Sequence, residues 1–238
     1  MTEELPLTAE ELHCLAALCD LSQVTGLAPM PFADDPSAEP LLLGTALRSL
    51  GARGLIAGDV VSREVADALA VVRTPERALA LQRGGEGGIG IRSFWLSGGR
   101  AIELRRVAEH DYLLTSFDPA GLADRFVAAA ELAGAVNGRV PGGGLRLARA
   151  ALLAALAGSQ APGLPVLDDA SLWEASWMED GPEPEGGSLS WLDAGPGGAW
   201  RIDATGHEDD ASPDGLLVLE PVARAALVDE LRAAALSV

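Results

Sequence analysis

The sequence predicts an α+β fold of two related halves about a pseudo-twofold axis, each half an antiparallel sheet with flanking helices. Three observations carry this. The hydrophobic spacing changes from helical to alternating after Pro75. A Pro/Gly-rich stretch at residues 137–144 has little to bury and reads as a linker between residues 1–136 and residues 145–238. The order strand, Gly loop, hairpin, strand, acid–Pro, helix then occurs on both sides of that linker.

The elements follow in order. Thr8 with Glu11 makes a capping box, hydroxyl and carboxylate each satisfying the other's backbone N–H, so a helix opens there. Leu12, Leu15, Ala16 and Cys19 share its face. The Pro-rich acidic residues 29–40 break the chain. A helix over 39–53 carries Leu43, Leu47 and Leu50 in a stripe and stops at Gly54, because glycine enters a left-handed C-cap without steric penalty. Ser62 caps a third helix with Val65, Leu69 and Val72 inward. From Ala78 to Arg83 the residues alternate, residues 84–90 form a loop, and residues 92–96 read as a strand. Ser97-Gly98-Gly99 is a tight turn, residues 100–107 and 112–117 are strands, and Asp118-Pro119 opens a helix bearing Leu122, Phe126 and Ala130.

Beyond the linker a helix is expected over 145–156, then strands at 172–178, 189–192, 199–203 and 216–219, with loops at 179–187 and 206–214. Glu220-Pro221 is expected to start a final helix. Trp95-Leu96 and Trp191-Leu192 occupy matching places before a Gly-rich turn, as do Asp118-Pro119 and Glu220-Pro221 before a helix.

Composition excludes several functions. The net charge of −18 repels phosphate backbones and anionic lipid, so neither nucleic acid nor membrane is an expected partner. All 17 basic residues are arginine, which removes the lysine that a Walker loop or a Schiff-base enzyme requires. The acidic start Met1-Thr2-Glu3-Glu4 lacks a signal-peptide pattern, and with two cysteines, Cys14 and Cys19, no disulfide framework is expected; the reading is a cytoplasmic protein.

The motifs that suggest chemistry have plainer explanations. Residues 85–90 match G-x-G-x-x-G, yet the dinucleotide fold needs a helix after that loop and a strand follows here. His13, Cys14 and Cys19 lack zinc spacing, His110-Asp111 lies at a turn, and His207 with Glu208-Asp209-Asp210 and Asp214 lacks the ligand order of a calcium loop. No catalytic residue, metal or cofactor is expected. Trp173, Trp177, Trp191 and Trp200 read either as the core of the second sheet or as an exposed apolar platform.

The run Leu47-Arg48-Ser49-Leu50-Gly51-Ala52-Arg53-Gly54-Leu55-Ile56, with Asp59, Ala66-Asp67-Ala68-Leu69-Ala70-Val71-Val72 and Pro75-Glu76-Arg77, resembles the EspG family, cytosolic chaperones of type VII (ESX) secretion. The likeness is detailed over residues 40–135 and covers the rest in outline, including the two-half layout. It implies binding without catalysis: such proteins hold the hydrophobic helical tip of a PPE protein in its PE–PPE heterodimer. It also implies a contact surface on the central sheet and on the loop between the second and third strands of the first half, here Ser97-Gly98-Gly99-Arg100. The expected partner-binding residues are therefore Trp95, Ser97, Gly98, Gly99, Arg100, Trp173, Trp177 and Trp191. Two other readings stay open on the residues alone. One is a duplicated interaction or regulatory module unrelated to secretion. The other is an enzyme with an acidic site at Asp168-Asp169 or Glu208-Asp209-Asp210.

Overall fold

The computed structural model describes residues 3–29, 39–85, 88–132, 140–156, 170–181, 185–203 and 216–236. Among these the fold is α+β. The first half of the chain gives β1 (Glu3–Thr8), α1 (Ala9–Leu18), α2 (Glu39–Ala52), β2 (Ile56–Ala57), β3 (Val60–Val61) and α3 (Arg63–Arg73). It continues with β4 (Arg77–Gly85), β5 (Gly88–Ser97), β6 (Arg100–Arg106), β7 (Asp111–Phe117) and α4 (Leu122–Ala129). Next come β8 (Leu145–Ala148), α5 (Arg149–Leu156), β9 (Ser171–Glu179), β10 (Glu185–Asp193), β11 (Ala199–Asp203), β12 (Leu216–Val222) and α6 (Arg224–Leu236). Ten strands form a sheet in the order β1-β7-β6-β5-β4-β9-β10-β11-β12-β8, and β2 pairs with β3 separately. Among the described residues no helix is long and apolar enough to cross a membrane.

The first of two compact units comprises Met1–Ala80, Ile91–Gly121 and Met178–Glu185. Residues opposite each other in an antiparallel ladder share a face. Trp95 lies opposite Ile102, Leu104 opposite Leu114, Leu114 opposite Leu5, and Tyr112 opposite Leu7. That face meets Leu12 and Leu15 of α1, Leu50 of α2 and Leu69 of α3 in one core. Each such buried side chain contributes roughly 1.5–3 kcal/mol. Glu11 joins two of the helices. Its carboxylate completes the Thr8 capping box and accepts from Ser49 Oγ at 2.7 Å and Arg53 Nη1 at 2.9 Å, both on or just beyond α2. The segment after α1 is pinned to the same face. Ala28 N donates to the Tyr112 hydroxyl at 3.0 Å, and Ser93 Oγ donates to Thr25 O at 2.9 Å. On the opposite face Phe94 and Phe117 meet edge to face, centroids 6.5 Å apart.

The second unit comprises Leu81–Gly90, Leu122–Trp177 and Gly186–Val238. Leu192 pairs with Trp200, Ile202 with Leu219, and Leu217 and Leu219 with Leu147 and Leu145. This face packs beneath Leu152 and Leu156 of α5. The other face carries Trp191 opposite Arg201 and Asp193 opposite Ala199. There α6 is tied down by Arg201 to Glu230 and by Arg224 to Asp193, and α4 packs on α6.

Several expectations need correction. The segment expected to be helical from Leu145 begins as strand β8, because Leu145 and Leu147 alternate with Arg146 and pair with β12; the helix starts at Arg149. Pro221 does not open a helix. It lies inside β12 opposite Trp200, in the part of β12 that β8 does not reach. A proline has no N–H to give a ladder and is tolerated at such an edge. The loops expected at 84–90 and 179–187 are narrower, since β4 runs to Gly85, β5 starts at Gly88, β9 runs to Glu179 and β10 starts at Glu185. Strand β1 and the β2–β3 hairpin are additional elements. Most of the segment 29–40, part of the linker 137–144 and the loop at 206–214 lie outside the described residues.

Candidate protein-docking surface

The hairpin between β5 and β6 is built by its two glycines. Ser97 pairs with Arg100, leaving Gly98 and Gly99 as a two-residue loop with φ of 57° and 72°. Left-handed values at both positions match the twist of the flanking strands and suit glycine. Gly98, Gly99 and Arg100 are exposed, and a Cβ at either glycine would meet nothing within 4 Å. The tip projects as bare backbone beside one arginine. Arg100 Nη1 reaches Asp67 Oδ2 on α3 at 3.1 Å, and Gly98 N donates to Glu76 Oε1 at 3.1 Å. Glu76 is held by its backbone too, donating to Leu96 O at 2.8 Å and accepting from Asp180 N at 2.9 Å. The neighbouring Arg77 pairs with Glu179 at 3.2 Å. Met178, beside Glu179, is 55% exposed, and Val60, at the start of β3, is 65% exposed. None of these tertiary ties has a local sequence signal. Asp67 and Glu76 are ordinary surface acids until the fold brings the hairpin to them.

Trp95 stands two residues back from Ser97 and is buried under the helices, so it supports the hairpin from behind and offers no surface. In the second unit the core alternative describes Trp173, Trp191 and Trp200, all buried. The exposed-platform expectation for Trp173 and Trp191 is corrected accordingly. Their rings stack in parallel at 5.8 Å, an arrangement worth about 0.5–1.5 kcal/mol beyond the area it buries. The Arg83 guanidinium lies 5.4 Å above the Trp173 ring and is oriented by Ser171 Oγ at 3.1 Å and Glu131 Oε2 at 3.0 Å. Trp177, four residues on, is half-buried and lies against the backbone of Gly187. Of the four tryptophans named as partner-binding, it alone keeps surface.

The other sequence motifs resolve into structural contacts. His13 Nε2 bonds to Ala28 O at 2.9 Å, and Cys14 Sγ donates to Leu43 O at 3.8 Å, so the two face different neighbours. Burial raises the Cys14 thiol above its ordinary range, as do the nearby Glu11 and Glu10 charges. Burial also raises Cys19, against an opposing effect of Arg73. His110 contributes its carbonyl to the N–H of Ala9 at the start of α1. The G-x-G-x-x-G run starts on the last residue of β4 and ends within β5, so a strand and not a helix follows its first glycines. Asp168-Asp169, and His207 with Glu208-Asp209-Asp210 and Asp214, lie outside the described residues. Among the described residues no three His, Cys, Asp or Glu side chains group as metal ligands.

The family model of the EspG family matches residues 8–180. Among solved structures, the chain is similar in fold to the Mycobacterium tuberculosis type VII secretion system chaperone EspG5, solved in complex with a PE25–PPE41 dimer. That likeness has a TM-score of 0.58 at 13% identity and covers 98% of this chain and 95% of that one. No curated protein matches the chain.

Proposed function

The chain belongs to the EspG family, and on that premise we propose that it is a cytosolic, non-catalytic chaperone of type VII secretion. In this reading it shields the apolar helical surface of a PE–PPE heterodimer before export. The family match over residues 8–180 carries the reading. It is supported by the fold shared with EspG5, whose own structure contains a PE25–PPE41 dimer.

In this reading the first unit offers the tip Ser97-Gly98-Gly99-Arg100 as contact surface, and the second unit, taken by itself, offers the half-buried Trp177. Trp95 packs behind the tip within the first unit, and Trp173 and Trp191 pack on each other within the second. A flat two-glycine tip suits close approach of another backbone, and Arg100 supplies a directional donor. The division into residues 1–136 and 145–238 belongs to the same reading. Its support is topological: β4–β7 and β9–β12 are each four consecutive strands, and β1 and β8 each precede a helix and pair with the last strand of a set. The test is co-expression with every PE–PPE pair encoded in the same genome. One pair should co-purify as a soluble three-chain complex, and failure of all pairs would overturn the assignment.

A further inference from the structure

We infer that Glu76 is a positioning residue, which presets the β5–β6 tip for its partner; the inference rests on the reading of that tip as contact surface. A Gly-Gly turn is the least self-determined of hairpin loops. Glycine has the most backbone freedom to lose, and neither residue has a side chain with which to hold the turn. In a two-residue loop closed by Ser97 and Arg100, the ladder bonds lie below the tip, and the Gly98 N–H is not one of them. It would ordinarily belong to water. Here it donates to Glu76 Oε1 at 3.1 Å.

Glu76 suits that task because its own backbone cannot drift. Its N–H is bonded to Leu96 O, two residues before Gly98, and its carbonyl accepts from Asp180 N at the end of β9. The carboxylate therefore reaches the tip from a residue fixed on both sides. Pro75 precedes it and restricts the chain leading in. A second anchor, Asp67 on α3, holds Arg100 at 3.1 Å. Glu76 ties the loop backbone and Asp67 ties the adjoining side chain.

The consequence is energetic. A partner that meets a floppy tip must supply the ordering cost, whereas a preset tip leaves that binding energy intact. Removing the acceptor should weaken partner binding by about 3- to 10-fold, the equivalent of one modest hydrogen bond. The lost order should be local to Gly98 and Gly99.

The experiment compares Glu76→Ala, Glu76→Gln and Gly99→Asn. Each is measured for Gly98 amide exchange in the free protein and for affinity toward the PE–PPE heterodimer that co-purifies with the parent chain. Glu76→Met, which keeps the stem without the acceptor, substitutes if the alanine variant does not fold. The expected result is faster Gly98 exchange and weaker binding in Glu76→Ala, with both restored in Glu76→Gln, whose amide oxygen still accepts. Gly99→Asn, which adds a side chain to the bare tip at a left-handed position asparagine tolerates, should also weaken binding. Unchanged Gly98 exchange in Glu76→Ala overturns the inference whatever the partner does. Faster exchange with unchanged affinity, while Gly99→Asn weakens binding, overturns it as well and leaves the contact surface standing. If neither substitution alters affinity, the tip is not the contact surface and the inference falls with that reading.

Discussion

Trp177 lies so close to the backbone of Gly187 that a Cβ there would sit 2.6 Å from its Cζ2 atom. The contact joins β9 to β10 by an indole laid on a bare main chain, and it explains why a glycine interrupts β10 at this point. Gly187→Ala should therefore push the indole out of place. The expected cost is about 1–3 kcal/mol, the usual range for overpacking. Denaturant unfolding measures that loss. A red-shifted Trp emission should accompany it, and an unaltered spectrum with unaltered stability would refute the packing argument.

Glu11 is the polar bolt of the first unit. It is 3% exposed and holds Thr8 N, Ser49 Oγ and Arg53 Nη1 together. Glu11→Ala removes a capping-box acceptor and leaves the Ser49 hydroxyl without its acceptor. The loss should come to roughly 2–3 kcal/mol, about one cap plus one or two buried hydrogen bonds. Glu11→Gln keeps one acceptor oxygen and should cost less. Thermal or denaturant unfolding of the two variants provides the comparison.

The parts of the fold visible in the sequence were those governed by near neighbours. The Thr8–Glu11 box, the Gly54 helix stop and the Gly98–Gly99 turn each depend on residues a few positions apart, and each is present. Strand β1 was invisible because Pro6 and the paired Glu3 and Glu4 give no alternation; its existence depends on β7. The segment 145–148 carries helix-forming Leu, Arg and Ala, yet pairing with β12 overrides that propensity. Pro221 misled for a related reason: an acid–Pro pair signals a helix start only where no strand partner waits, and Trp200 waits there. At the candidate surface the Gly-Gly tip was legible. The two acids that brace it were not, because Asp67 and Glu76 reach it only through tertiary structure.

The thiols give a pH-dependent prediction. Burial is the largest cause of the raised position of both Cys14 and Cys19, whose ordinary value is 9.0. A raised thiol keeps its proton in the folded chain at a pH where the unfolded chain begins to lose it. The unfolded state then binds fewer protons, so this contribution to stability is intact below pH 9.0 and declines as pH rises above it. Thiol labelling at pH 8 should be slow for both residues and fast for both after unfolding. Rapid modification of Cys14 in the native protein would contradict its burial.

Arg224 offers the sharpest test of the second unit. Its side chain is 3% exposed, and it grips Asp193 with two bonds, Nη2 to Oδ1 at 2.6 Å and Nε to Oδ2 at 3.1 Å. Asp193 Oδ1 also accepts from Gly195 N at 2.9 Å, and Arg224 Nη2 bonds the Gly195 carbonyl, so the pair fixes the β10–β11 turn and the first turn of α6 at once. Arg224→Met keeps the stem packed and removes the charge, leaving the Asp193 carboxylate largely buried without its counter-ion. That loss should be about 3–5 kcal/mol, the range for breaking one side of a buried pair. The double substitution Arg224→Met, Asp193→Asn removes both charges while Asn keeps an acceptor for Gly195 N, so it should recover part of the loss. Unfolding curves for the parent, Arg224→Met and the double variant make the comparison. A double variant no more stable than Arg224→Met would mean that the stranded charge is not the source of the cost.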